Sequence, residues 1–330
     1  MSRIAVAVVN FNTREHLRNC LQSVILAAPS ELVVVDNASS DGSREMVRTA
    51  FPQVPLYANE RNTGYGAAAN QAVKYCSAPY ILLLNADTML HPQALHALET
   101  YLDRHVRVGV CGPRLLYPDG RTQPSCFSFP TPFTMFLELT DLSRIPRRLP
   151  LVGDRSRRSR TAHAVPWVMG AALALRRTAF DAVGGFDESF FMYSEEIDLC
   201  YRLRLHGWQA HFVPDARIVH AGAASTVQCR VPMAVRALTS TMCFYRRHYS
   251  HRQLVELKLI LGATMIAKIL RDGLRFGATR DQVRRKRLWE DMRIWARVLG
   301  ASVHREHSES VRAWADPAEQ FSSGTGLRTP

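Results

Sequence analysis

The sequence predicts an α/β fold: a mostly parallel sheet flanked by helices, with a helical C-terminal extension. Three observations carry this. Strand-like and helical stretches alternate through about the first 110 residues. The strand-like runs are continuously apolar rather than alternating, as in strands covered on both faces. After Cys229 the chain reads as helix with basic faces.

The elements follow in order. Residues 4–9 form a buried-type run, and 14–26 a helix. A second strand over 32–35 ends on Asp36 and Asn37. Asp41 offers an N-cap, with Gly42 next, for a short helix to about residue 50. Residues 56–58 make a weak strand and 64–75 an alanine-rich helix. A strongly apolar strand over 80–84 ends at Asn85-Ala86-Asp87. Pro92 opens a helix to about residue 104, and 108–110 add another strand. Polar residues, beginning with Asn10, gather just after the strands, where open α/β sheets bind ligands. The pattern then changes. Tyr117-Pro118-Asp119-Gly120 is a turn between two short strands. Residues 124–166, rich in proline and arginine, read as one long mobile loop. An apolar strand resumes over 167–175, a helix carries acids from about Ser194, and 209–213 and 217–220 read as two short strands.

An apolar share of 47% excludes wholesale disorder. Seven cysteines, odd in number and with no CxxC pair, predict free thiols in a reducing cytosol. A strand pattern starting at residue 4 leaves no room for a signal peptide. The net charge of +13 is uneven: residues 144–160 hold seven arginines against Asp154, and 280–287 hold four arginines and Lys286 against Asp281. Such clusters attract phosphate, whether in nucleic acid, anionic lipid or a diphosphate-bearing substrate. The apolar stretch 254–274 is broken by Glu256, Lys258, Lys268, Arg271 and Asp272, which excludes a membrane span. It reads as an amphipathic helix for a core, a subunit interface or a membrane surface.

The chemistry-bearing residues narrow the function. A dinucleotide-binding fold needs glycines in its first βα turn; here that turn is Asn10-Phe11-Asn12-Thr13-Arg14, so hydride transfer is disfavoured. Asp36 can hydrogen-bond a base or ribose, or cap a helix. Asn85 and Asp87, two apart on extended chain, point the same way and can share a ligand set for Mg²⁺ or Mn²⁺ at a diphosphate. His220, ending a short strand, is an acceptable further ligand or a structural histidine. The stretch 184–202 packs Asp187, Glu188, Glu195, Glu196 and Asp198 among aromatics. Asp198 and Arg202 are spaced for an i, i+4 ion pair. Glu195 and Glu196 stand at a helix start, where the dipole favours their ionised forms. Either could take a proton from a hydroxyl or merely cap the helix. Glu196 lies roughly 200° around the helix from Asp198.

Together these pieces resemble glycosyltransferase family 2, in its rhamnosyltransferase-like branch. The matching stretches are Val8-Val9-Asn10-Phe11-Asn12, Val34-Val35-Asp36-Asn37-Ala38-Ser39-Ser40-Asp41-Gly42, Asn59-Glu60-Arg61-Asn62-Thr63-Gly64-Tyr65-Gly66, Leu83-Leu84-Asn85-Ala86-Asp87, the acidic stretch 184–202, and His220. The resemblance implies a GT-A, Rossmann-like fold over residues 1–228; beyond it the chain itself reads as a basic helical extension over 229–306 and a flexible tail over 307–330. It implies inverting, metal-assisted transfer from a nucleoside-diphosphate sugar, dTDP- or UDP-linked, to a saccharide or lipid-linked acceptor in envelope or polysaccharide synthesis. By position, Asn10, Asp36, Asn62, Gly64 and Asn85 would line the donor. Asp87 with His220 would hold Mg²⁺ or Mn²⁺. Glu196 occupies the base position, with Glu195 its competitor and Asp198 an organiser. Two departures stand out: Asn85 replaces the first acid of the family's Asp-x-Asp motif, and the base position, often Asp, is Glu196. The expected setting is the cytoplasm, with peripheral contact at the inner membrane face and self-association through the C-terminal helices. Nucleic-acid binding would not account for the acids at the strand ends. The rival from another class is a non-catalytic nucleotide-sugar- or carbohydrate-binding relative.

Overall fold

The computed structural model of the chain describes residues 2–140, 156, 159–222 and 230–303. The expected tail and the arginine-rich 144–155 lie outside the described residues.

The first half follows the expected alternation: β1 (Ile4–Asn10), α1 (Arg14–Leu26), β2 (Glu31–Asp36), α2 (Ser43–Ala50), β3 (Leu56–Ala58), α3 (Tyr65–Lys74) and β4 (Tyr80–Asn85). A short β5 (Thr88–Leu90), α4 (Ala94–Arg104) and a longer β6 (Val108–Leu116) come next. Strands β3, β2, β1 and β4 pair in parallel, with Val8 opposite both Val34 and Leu84. Successive side chains leave a strand on opposite faces. Ile4, Val6 and Val8 therefore pack on Leu17, Leu21 and Val24 of α1. Ala5 and Ala7 face Ala68, Ala69 and Ala72 of α3, small against small. Both faces of β1 are shut off from water, which is why its run is apolar throughout. Asp41 acts one residue earlier than expected: Gly42 takes the N-cap position of α2, and the Asp41 carboxylate accepts from the Ser43 and Arg14 N–H groups.

The second half departs from the sequence expectation in three places. The supposed loop over 124–166 contains β7 (Cys126–Phe127), α5 (Pro132–Leu139) and β8 (His163–Val165). Thr131 and Thr134 form a capping box at the start of α5. The single strand expected over 167–175 is two strands in different sheets: β9 (Trp167–Val168), paired with β7, and β10 (Ala172–Arg176), followed by an unforeseen α6 (Arg177–Ala182). After α7 (Glu195–Leu205), the two short strands are one, β11 (Gln209–His220), with an irregularity between Val213 and Arg217.

Strand β10 enters the main sheet antiparallel between β4 and β6, giving the order β3-β2-β1-β4-β10-β6-β11-β5, with β8 beside β11. Its first residues, rather than its last, thus reach the edge where β1, β2 and β4 end. The C-terminal helices α8 (Arg230–His248), α9 (His251–Ala278) and α10 (Gln282–Val303) close one face. Leu238, Met242, Phe244, Tyr245, Leu257 and Leu261 share one buried cluster with Leu83 and Leu173 of the sheet. Helix α9 buries Leu257, Leu261 and Met265 while exposing Leu259, Ile266, Leu270 and Leu274. Among the described residues no helix is long and apolar enough to cross a membrane.

Candidate functional site

The parallel strands β1 and β2 end side by side, Asn10 opposite Asp36. Asp36 is only 1% exposed, and its carboxylate is already well supplied. Oδ2 accepts from Asn10 Nδ2 at 2.8 Å, while Oδ1 accepts from the Ser39 N–H at 2.9 Å and from Arg44 Nε at 2.7 Å. Arg44 compensates the cost of burying this charge. Sequence reasoning missed it.

Asn37 ties the adjoining loop together. Its Nδ2 donates to Asn62 Oδ1 at 2.8 Å and to Gly64 O at 3.1 Å; its Oδ1 accepts from Asn59 Nδ2, Thr63 N and Thr63 Oγ1. Asn62 Oδ1 also accepts from the Gly64 N–H at 2.9 Å. Gly64, at φ +87°, adopts a conformation that only glycine tolerates readily. It lies against the backbone of Phe191, in the acidic stretch.

Asp87 and His220 meet across the sheet edge: β11 pairs with β5, and the Ala221 N–H donates to Asp87 O at 3.0 Å. His220 Nε2 is 3.4 Å from Asp87 Oδ1. His220 Nδ1–H donates to Gln123 Oε1 at 2.8 Å, which leaves Nε2 as the nitrogen facing the carboxylate. Burial pushes the Asp87 pKa up, but the hydrogen bond and charge of His220 outweigh it and hold the carboxyl below its usual value. Asn85 ends β4 two residues away, its N–H bound to Ala171 O at 3.0 Å. Among the described residues no three His, Cys, Asp or Glu side chains converge. One carboxylate and one imidazole nitrogen still suit a divalent ion whose other positions are filled by phosphate oxygens and water, and the residues fit such an ion in that sense.

The acids divide sharply. Asp198, 1% exposed, takes Arg202 Nε at 2.7 Å on one oxygen and His248 Nε2 at 2.7 Å on the other. The expected i, i+4 pair is present, and the His248 contact clamps α7 to α8. Asp187 pairs with Arg247 of α8, and Glu188 accepts from Asn70 Nδ2 at 3.0 Å. Glu195 and Glu196 differ from all of these. The expectation that the helix start leaves both ionised is corrected by their surroundings. Burial, and then the neighbouring Glu196 charge, push the Glu195 carboxyl well up. Burial also raises Glu196, against the backbone N–H groups of Glu196, Gly170 and Ile197. Two adjacent buried carboxyls do not readily both ionise. The amides favour Glu196 as the one that does. Oε2 of each is buried without a hydrogen-bond partner among the described residues. The chain enters this helix through two successive left-handed residues, Tyr193 (φ 69°) and Ser194 (φ 66°), outside glycine's usual territory.

The ligand edge thus gathers Asn10, Asp36, Asn62, Gly64, Asn85, Asp87 and His220 on the ends of neighbouring strands and the loops that follow them. Glu195 and Glu196 reach it from the opposite half, through Tyr65 and Gly170. Asp198 turns away to α8. Sequence reasoning missed Arg44, Gln123, Gly170 and His248; of these only Gly170, in the run Met169-Gly170-Ala171-Ala172, carried a signal, the mark of a close approach.

Comparison with known proteins gives the lineage. Glycosyl transferase family 2 matches residues 5–184, ending before α7. The N-acetylglucosaminyl-diphospho-decaprenol L-rhamnosyltransferase of Mycobacterium tuberculosis is 31% identical over 237 residues, 68% of this chain and 77% of the relative. Among solved structures, the mannosyltransferase PcManGT of Pyrobaculum calidifontis, in complex with GDP-Man and Mn²⁺, aligns with TM-score 0.51 at 17% identity, over 98% of this chain and 81% of that one. GalNAc-T7 with UDP, GalNAc and Mn²⁺ aligns with TM-score 0.51 at 19% identity, over 66% of this chain and 42% of that one. Sheet order, strand-end polar residues and these matches agree: the chain has a GT-A fold and belongs to glycosyltransferase family 2.

Proposed function

We propose that the chain is an inverting, metal-assisted glycosyltransferase of the rhamnosyltransferase-like branch. It moves a sugar, rhamnose in our reading, from a dTDP- or UDP-linked donor to a hydroxyl of a saccharide or lipid-linked acceptor in envelope polysaccharide synthesis. The observation that carries this is the adjacent carboxyls of Glu195 and Glu196 at the start of α7, the first buried and the second half-buried, with more backbone amides favouring the ionised form of Glu196 than that of Glu195. The choice of rhamnose and of a lipid-linked acceptor is supported by the mycobacterial relative, whose name states both.

In this reading Glu196 accepts the proton of the acceptor hydroxyl. The freed oxygen attacks the anomeric carbon from the face opposite the diphosphate, and the carbon–oxygen bond to the diphosphate breaks. Glu195 keeps its own proton, so the pair carries one negative charge rather than two. Asn10 with Asp36, and Asn37 with Asn62 and Gly64, shape the nucleoside and donor side. Asp87 and His220 would hold a divalent ion, which when bound neutralises charge on the departing diphosphate. Asp198 orients α7 through Arg202 and His248. The exposed Arg284, Arg285, Lys286 and Arg287, of which Arg285 lies over Phe276 near the end of α9, suit an anionic membrane that carries the acceptor.

The test is transfer itself. The purified chain with Mn²⁺ is offered dTDP- and UDP-sugars and a synthetic lipid-diphosphate N-acetylglucosamine. The linkage formed is read by NMR. Inverted anomeric configuration is expected; retained configuration, or binding of a donor with no transfer to any acceptor offered, would overturn the proposal.

A further inference from the structure

Tyr65 opens α3 directly after Gly64. Its backbone N–H donates to Phe191 O at 2.8 Å, and its hydroxyl donates to Gly170 O at 3.1 Å. Gly170 in turn stands against the Glu196 carboxyl, where its backbone N–H favours the ionised form. The fit is close: a Cβ on Gly170 would stand 3.6 Å from both Cδ and Oε1 of Glu196. The next residue is pinned as well, since Ala171 O accepts from the Asn85 N–H. Phe186 meets the Tyr65 ring edge to face at 6.1 Å and limits where the phenol can point. Burial, then the charges of Glu195, Glu196 and Asp87, push the phenol up, so it stays an O–H donor throughout the neutral range.

A half-buried tyrosine that only filled space would use its ring and leave its hydroxyl to any nearby acceptor. This one bonds Gly170, whose amide is one of the three that favour the ionised Glu196 and the one of them that comes from outside α7. We propose that Tyr65 is a positioning residue for Glu196, acting through Gly170: its hydroxyl fixes the Gly170 N–H on the carboxylate, so that this acid stands ready to accept a proton. The inference rests on the reading of Glu196 as the base. The groups that face Glu196 are Glu195 and Cys200 on its own helix and Tyr65 from α3, with Asp87 beyond Tyr65. None of these is a cation, which leaves the amides of Gly170, Glu196 and Ile197 to favour the carboxylate form.

Tyr65→Phe in the full chain removes only the hydroxyl. Two readouts are taken. The first is the Glu196 titration, followed by ¹³C NMR of carboxyl-labelled glutamate, with the resonance identified by its loss in Glu196→Gln. The second is the pH dependence of dTDP-rhamnose turnover with Mn²⁺. In Tyr65→Phe the Glu196 midpoint is expected to rise by about one pH unit, a tenfold change in proton affinity. The acidic limb of kcat should move with it, while KM for the donor stays within about twofold. An unchanged midpoint would overturn the positioning role, whatever happens to stability. Near-normal turnover by Glu196→Gln would instead overturn the base reading; the NMR midpoint, which needs no turnover, would still decide the part played by Tyr65.

Discussion

The carbonyl oxygen of Phe191 lies so close to Gly64 that a Cβ built there would come within 2.5 Å of it. The obstructing atoms are backbone and belong to the loop that leads into α7, so they cannot swing aside as a side-chain tip would. Gly64→Ala also places a side chain at φ +87°. It should cost about 2–4 kcal/mol in urea unfolding and weaken nucleotide binding measured by calorimetry. A fully stable variant with normal binding would show that the two loops are not coupled here.

Asp198, almost fully buried, holds two partly buried partners. Removing it in Asp198→Ala leaves the Arg202 and His248 side chains facing a void, at an expected cost of about 3–5 kcal/mol in chemical denaturation. Any activity that survives should keep the wild-type pH profile, because in the proposed mechanism this acid organises α7 and takes no proton from the acceptor.

Glu195 makes stability depend on pH in a definite direction. Its folded pKa is raised, so above the ordinary carboxylate value of 4.5 the unfolded chain releases a proton that the fold retains. Stability is therefore greatest below that value and falls as pH rises toward the folded pKa, by about 1.4 kcal/mol for each tenfold difference in proton affinity. Glu195→Gln should match the wild type near about pH 4 and exceed it near about pH 8. Thermal melts across that range check the sign.

Asp87 and His220 are expected to govern divalent-ion affinity. Asp87→Asn and His220→Ala should each weaken Mn²⁺ binding, followed by electron paramagnetic resonance, by about tenfold or more. Chelation should stop sugar transfer, and Mn²⁺ should restore it. Transfer that persists after rigorous chelation would remove the metal from the mechanism.

The outward face of α9 supplies a fourth kind of test. Leu259 and Leu270 are 68% and 63% exposed, so a Leu259→Gln, Leu270→Gln double variant should fold normally. Its co-sedimentation with anionic phospholipid vesicles should fall by about a hundredfold or more, the loss of two buried leucines at about 1.5–3 kcal/mol each. Unchanged co-sedimentation would place any membrane contact elsewhere.

The strand-end half of the candidate site was legible because each strand is a continuous apolar run that stops at a polar residue. Val9 to Asn10, Val35 to Asp36 and Leu84 to Asn85 mark three neighbouring strand ends. The direction of β10 was not legible. Ala172 to Leu175 are all buried, and a fully buried strand shows the same apolar run whether it lies parallel or antiparallel. The helix over Glu195 and Asp198 could be read from its acids and from the spacing to Arg202. The state of the glutamates could not, because what buries them comes from Tyr65 and Gly170, far away in the chain. In the same way, His220 advertised a nitrogen, but only the fold brings Gln123 to its other side. Local pattern gives element type; tautomer, burial and charge state depend on contacts between distant segments.

The reversed strand β10 also has a mechanical meaning. Five residue pairs, Ala172 with Leu84 through Arg176 with Tyr80, join it to β4. Sliding one strand along the other would load these pairs together, in shear, whereas peeling would open them singly. The Gly170 peptide is carried at the entrance of that ladder, so a displacement of the acid-bearing half along the strand axis is resisted by the whole seam. The turns at Gly64 and Tyr193-Ser194 have no such ladder, and their backbone angles are already held away from the common basins.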